Sequence, residues 1–328
     1  MVSLLSQVYT RMNIVIITPA AAPALGGNRN TAQRWGRLLR RSGHHVRVQT
    51  TWDERPADLL IALHARKSHD SIKRLVGRMP QTPLVVCLTG TDLYRDIRTD
   101  ASAQESLRLS TRIVVLQEMA LHELSADARG KARVIYQSAK PIKPAAPLKN
   151  HFEISIIGHL REEKDPFRCA MALSYLPQSS RIRICHMGRA MSAEMEKQAQ
   201  QWMAREPRYR WMGEIPHWQV RKRLARCRAM VISSRMEGGA NVISEALVAH
   251  VPVIASHIPG NIGMLGEDYS GYYPVEDERK LAMLLQRLET DRGFCAALKK
   301  QCAKRLPLVQ EKRESASLEM LLMEISRQ

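Results

Sequence analysis

Aromatic residues make up only 5% of this 328-residue chain, three of them phenylalanine. They are not interleaved with the basic residues, so the pattern lacks the stacking platforms of a single-strand nucleic-acid binder. None of the six cysteines (Cys87, Cys169, Cys185, Cys227, Cys295, Cys302) falls in a Cys-x-x-Cys pair, which removes zinc ribbons and disulfide scaffolds. Cys87 and Cys185 lie inside apolar runs and read as small buried residues of a reducing compartment. No apolar run approaches the about eighteen residues that span a bilayer. Residues Met1 to Met12 lack the apolar centre of a secretory signal, so a cytoplasmic location is expected. Acidic residues are also scarce: 32 Asp and Glu face 50 Lys and Arg, for a formal charge of +18 and a pI near 10.0. Such a field suits nucleic acid, an anionic membrane face or a small, highly charged substrate. The cations are dispersed along the chain rather than blocked, which places nucleic acid last. A basic helix face such as Arg221-Lys222-Arg223-Leu224-Ala225-Arg226 is most often a solvated surface, with lipid docking as the open alternative.

At 45% hydrophobic and 25% charged residues, the chain is long enough for two cores of about 150 residues each. Strand-like and helix-like periods alternate throughout, which predicts an α/β fold with parallel sheets. In the first half the expected strands are Ile14 to Thr18, Val46 to Gln49, Leu59 to Leu63, Leu84 to Leu88, Ile113 to Leu116 and Ala132 to Ile135. Helices are expected from Asn30 to Ser42, Ser68 to Gly77 and Ser102 to Ser110. Lys140 to Lys149 carries three prolines and no apolar period, and reads as a linker. The pattern restarts with strands Ile154 to Ile157 and Ile182 to His186, helices Pro166 to Leu176 and Ala193 to Glu206, and a last helix Gln310 to Ser326. The organisation predicted is an extension over 1–12, doubly wound Rossmann-like domains over 13–140 and 152–309 facing across a cleft, a linker over 141–151, and a C-terminal helix over 310–328 that returns to the first domain. Ligands belong at the carboxyl ends of the strands.

The most informative segment follows the buried-strand pattern Met230-Val231-Ile232. Glu237 lies in the loop after that strand, Gly238 and Gly239 follow, and Glu245 falls inside a helix expected from Ala240 to Ala249. Glycines let backbone come close to a ligand, and the amides at a helix start favour an anion, so a diphosphate fits there. Glu245 is an acceptor able to take both hydroxyls of a ribose diol, and Glu237 can serve sugar hydroxyls. The plainer alternative is a pair of solvated helix-end charges. Asn241 and Ser244 are secondary candidates.

In the first half, Gly26-Gly27-Asn28-Arg29-Asn30 follows a strand and opens a helix, so its amides can bind phosphate; a plain tight turn is equally compatible. His64-Ala65-Arg66-Lys67-Ser68-His69 gathers cations at a strand end. Anion binding by His64, Arg66 and Lys67 stands beside a surface-loop reading, and His69 reads as surface. Thr91 and Asp92 follow another buried strand, where Asp92 can bond a sugar or form an Asx turn.

The Glu237 to Glu245 spacing resembles the Glu-x7-Glu segment of the family-4 glycosyltransferases, which have the GT-B fold. The resemblance implies that Glu245 binds the nucleotide ribose and Glu237 contacts the donor sugar. Gly158-His159-Leu160-Arg161-Glu162-Glu163-Lys164 is similar to that family's Gly-Arg-Leu-x-x-x-Lys-Gly, whose Arg and Lys neutralise the diphosphate leaving group. Lys164 matches directly; His159 stands in place of the Arg, which leaves Arg161 as the second cation. His250 replaces a usual Gly before Val251-Pro252-Val253, and Pro259-Gly260-Asn261 is similar to a loop near the nucleobase.

Across most of its length the chain also resembles the selenosugar synthases of selenoneine biosynthesis. The carrying segments are Asn13 to Ala20, Gly26 to Ala32, Leu63 to Ser68, Leu88 to Arg95 and Gly158 to Pro166. That resemblance implies transfer of N-acetylglucosamine from UDP-GlcNAc to the selenium of selenophosphate, with UDP-sugar and selenophosphate as substrates and no cofactor or metal required. Arg29, Arg66, Lys67 and Arg95 then position an anionic acceptor, which needs cations rather than a general base. An oxygen glycosyltransferase of envelope glycans is the alternative; a basic nucleic-acid-binding protein is the third.

Overall fold

The computed structural model describes residues 11–19, 26–143 and 145–327. Most of the expected N-terminal extension, Pro23 to Leu25 ahead of the glycine loop, and Pro144 of the linker lie outside these residues. The chain divides into two compact units, one of Met1–Leu116, Leu121–Ile135 and Ser315–Gln328, the other of Gln117–Ala120 and Tyr136–Glu314.

The first unit carries β1 (Asn13–Ile17), β2 (His45–Gln49), β3 (Leu59–Leu63), β4 (Leu84–Cys87), β5 (Arg112–Val115) and β6 (Ala132–Val134) in the order β2-β1-β3-β4-β5-β6. Every pairing is parallel. β3 is buried at all five positions, as a central strand covered on both faces requires. Trp35, Leu38 and Leu39 of the helix Gly27–Arg41 join Ile14, Ile16 and Ile61 in one core. Leu318, Leu321, Leu322 and Ile325 of the last helix, Glu311–Ser326, complete the same core.

The second unit carries β7 (Phe152–Ile157), β8 (Ile182–Met187), β9 (Tyr209–Trp211), β10 (Ala229–Ile232), β11 (Val253–Ser256) and β12 (Tyr272–Tyr273) in the order β12-β11-β10-β7-β8-β9, again all parallel. Both units are therefore doubly wound. The strand order reverses beside β1 in one and beside β7 in the other, so in the second unit the loops after β7 and β10 leave the sheet on either side of a topological switch point, where ligands bind in such sheets. No helix among the described residues is long and apolar enough to cross a membrane.

The local differences from the sequence reading have simple causes. The first helix begins at Gly27, three residues earlier than the apolar period suggests, because Asn28 and Arg29 precede the apolar stripe yet share its hydrogen-bond ladder. His69 is not a surface residue. It is buried at the head of the helix His69–Arg78, where Nδ1 meets Ser106 Oγ at 3.1 Å and Nε2 meets Glu105 at 3.1 Å. Asp92–Asp96 forms a π-helical turn, for which no sequence period was available.

His250 ends the helix Asn241–Val248 in a left-handed conformation (φ 56°). Its N–H bonds to Leu247 O at 3.1 Å and that of Val251 to Ala246 O at 3.0 Å, the paired bonds of a Schellman ending. A side chain there is strained, so His250→Gly is expected to add about 1 kcal/mol of stability. A rise in the urea midpoint with unchanged m-value is the check.

Candidate functional site

β7 and β10 are hydrogen-bonded neighbours, with Ile154 opposite Ala229. The loops that follow them are stitched together. Arg235 N–H donates to Glu163 O (2.9 Å), and Ser233 Oγ donates to the carbonyls of Lys164 (3.0 Å) and Asp165 (2.9 Å). This backbone scaffold brings the Lys164 ammonium onto Glu237 Oε1, an atom that also accepts from Ser234 Oγ at 2.5 Å. The pair is sheltered, with side-chain exposures of 22% for Lys164 and 9% for Glu237. Gly158, Lys164, Ser234 and Glu237 line a small hollow here. Gly260 backs it: a Cβ at that position would lie 1.9 Å from Glu237 O, so only glycine lets the helix Pro259–Leu265 approach the Glu237 backbone.

The floor of the hollow is fixed by His186, which lies at 3.1 Å from Gly158 O through Nε2 and 2.9 Å from Tyr209 Oη through Nδ1. A carbonyl only accepts, so Nε2 carries the proton and Nδ1 accepts from the tyrosine. Burial lowers the His186 pKa to about 4, and the ring is a neutral strut at physiological pH.

Gly238 is buried and Gly239 half-buried ahead of the helix Asn241–Val248. Ala240 is its N-cap, with no side-chain cap and no acid in the first turn. The positive end of that helix is thus left without a carboxylate from its own turn, a setting that favours an anion. Glu245 lies within this helix, partly buried at 15% side-chain exposure, and its Oε1 meets His217 Nε2 at 2.7 Å. The structure therefore brings Lys164 and Glu237 together, and ties Glu245 to a histidine twenty-eight positions away in sequence, which no local signal announces. Ser244 is fully buried and donates to Gln137 O at 2.8 Å, a packing role. Arg161 is exposed beside Glu163, at 4.0 Å, and makes no described contact with Glu237. His159 accepts from Arg189 N–H at 3.1 Å through Nδ1.

In the first unit the loops after β3 and β4 meet. Asp92 is fully buried: Oδ1 accepts from the N–H groups of Thr89 (2.9 Å) and Gly90 (3.0 Å) and from Thr89 Oγ1 (3.2 Å), and Oδ2 from Ala65 N–H (3.0 Å). This corrects the reading of Asp92 as a sugar or cation ligand. It is the turn-former, because four donors already saturate its lone pairs. His64 is buried beside it with φ 75°, held by its N–H to Cys87 O (2.9 Å) and by Nε2 to Thr91 Oγ1 (3.1 Å). Burial lowers the His64 pKa, with Lys67 and Arg66 adding to that and Asp92 and Asp96 opposing it. Asp96 receives Arg66 Nε at 2.8 Å and Arg95 Nε at 3.2 Å. Burial alone would raise its pKa, yet these guanidiniums hold it below the ordinary value. Arg66, Lys67 and Arg95 are exposed around this core. Gly26 is the extended N-cap of the first helix, and exposed Gly27 with half-buried Asn28 and Arg29 forms its first turn.

Residues 140–305, half of the chain, match the family model of the glycosyl transferases group 1. The chain belongs to this family. Among solved structures, HepE of Anabaena in complex with UDP and glucose is similar at 15% identity and TM-score 0.74, covering 96% of this chain and 100% of HepE. Sucrose-phosphate synthase from Thermosynechococcus elongatus is similar at 17% identity and TM-score 0.77, over 97% of this chain and 100% of the synthase. TarM of S. aureus, in complex with fondaparinux, alpha-GlcNAc-glycerol and UDP, shares 14% identity and a TM-score of 0.63, over 81% of this glycosyltransferase and 55% of TarM. At these identities the likeness is one of fold, and that fold is GT-B.

Proposed function

We propose that this glycosyltransferase moves N-acetylglucosamine from UDP-GlcNAc to the selenium of selenophosphate, forming the 1-selenosugar precursor of selenoneine. In the second unit, Glu245 takes the ribose diol. The Gly238-Gly239 segment and the start of the helix Asn241–Val248 receive the diphosphate. Glu237 orients the sugar, and Lys164, with Arg161 in support, neutralises the departing UDP. HepE bound to UDP and glucose, and TarM bound to UDP, support a UDP donor on this fold.

The observation that carries the acceptor assignment is the state of the acid-base groups after β3 and β4. Asp92 is spent on four donors, Asp96 on Arg66 and Arg95, and His64 is made a weaker base by burial. Exposed cations surround them. A hydroxyl acceptor needs its proton removed near working pH, whereas selenophosphate arrives ionised and asks only for positive charge. Its selenium attacks the anomeric carbon, the bond from that carbon to the β-phosphate oxygen breaks, and UDP leaves with the electron pair; the phosphate on selenium is lost later by hydrolysis.

The test incubates the enzyme with UDP-GlcNAc and either selenophosphate or a sugar alcohol, and reads products by mass. A selenium-bearing N-acetylhexosamine formed in preference to the alkyl glycoside is the expected result. Transfer to the alcohol without any selenium product would return the enzyme to ordinary oxygen chemistry.

A further inference from the structure

The helix His217–Leu224 starts behind Pro216, and its first residue reaches across to Glu245. The His217 side chain is 63% exposed, so packing does not account for its place; the 2.7 Å bond to the carboxylate does. We propose that His217 is a latch on Glu245, occupying one carboxylate oxygen while the donor site is empty and surrendering it to the ribose of the incoming nucleotide. The idea rests on the reading of Glu245 as the ribose acceptor. A vicinal diol donates two hydrogen bonds, one to each carboxylate oxygen, and the imidazole already fills one of the two lone pairs of Oε1, so it competes with the ribose for that oxygen. Neighbouring charges have other partners. Arg221 donates to the carbonyls of Lys140 (3.0 Å) and Pro141 (2.9 Å), Arg223 pairs with Glu153 of β7 at 2.8 Å, and Glu214 in the preceding loop lies 4.0 Å from Arg189. Lys222, on the same helix, carries its charge beside these.

UDP binding measured by calorimetry in wild type, His217→Ala, His217→Gln and Glu245→Ala tests this. His217→Ala should bind UDP about two- to fivefold more tightly than wild type. His217→Gln keeps an N–H donor, so its affinity should fall between those of wild type and His217→Ala. Glu245→Ala should bind UDP more weakly and erase the effect of a second change at His217. Equal or weaker UDP binding by His217→Ala, with Glu245→Ala weakened as expected, overturns the latch and leaves the ribose reading intact. Wild-type affinity in Glu245→Ala overturns both.

Discussion

Lys164→Ala is expected to lower kcat about 10²- to 10³-fold, the loss seen when one preorganised group facing a developing anion is removed. Its ammonium is positioned before any substrate arrives, by Glu237 at its tip and by the Ser233 and Arg235 bonds to the carbonyls on either side of it. In the proposed role it therefore needs no reorganisation when charge builds on the leaving diphosphate. The KM for the donor should change much less than kcat, because the proposed function has the ribose held elsewhere, at Glu245. Lys164→Arg should recover part of the rate, since it restores charge but not the compact geometry of an ammonium. Steady-state kinetics with UDP-GlcNAc and selenophosphate separates the two parameters. Wild-type turnover in Lys164→Ala would remove the leaving-group role.

Arg168→Ala should cost about 3 to 5 kcal/mol of stability in the second unit. Arg168 is buried and donates through Nε to Asp165 Oδ2 at 2.7 Å, and through Nη1 to Glu278 Oε2 at 2.5 Å and Glu276 O at 2.8 Å. Asp165 itself is buried in a left-handed conformation (φ 44°), immediately after Lys164. Removing the guanidinium strands a buried carboxylate in a strained position, and the neighbouring Lys164 should move with it. Urea denaturation reads the stability, and Arg168→Ala/Asp165→Asn should regain part of the loss because the stranded charge is gone. Glu278 adds a pH signature. A hydrogen bond from its own N–H lowers its pKa, burial opposes this, and Arg168 lowers it further. Its share of stability is present above the ordinary glutamate value of 4.5 and is lost as the pH falls through the lower folded value.

The segment proposed to hold the donor was readable in the sequence because its parts are local. A β-branched run into Ser233 and Ser234 marks a strand end, the paired glycines mark a close approach, and eight residues set Glu237 apart from Glu245. The segments proposed to face the acceptor were readable only as composition. His64, Arg66 and Lys67 stood out as clustered cations, but a single carboxylate such as Asp92 reads the same whether it faces a ligand or closes a turn, and its four backbone and hydroxyl donors come from two loops. His69 was misread for a related reason. A histidine beside Ser68 and Asp70 has a polar context along the chain, while its partners Glu105 and Ser106 come from another helix.

By itself, the sequence determined that this is a parallel α/β protein of two doubly wound units, because strand and helix periods are local properties of side-chain spacing. It also determined which acids and glycines stand at the end of β10. Tertiary structure decided which of these groups meet: Lys164 with Glu237 across two loops, His217 with Glu245, Asp92 with the loop after β3, and Gly260 against the Glu237 backbone. Those pairings depend on strand order and register, which bring residues far apart along the chain within hydrogen-bond reach, and no spacing along one strand or helix encodes them.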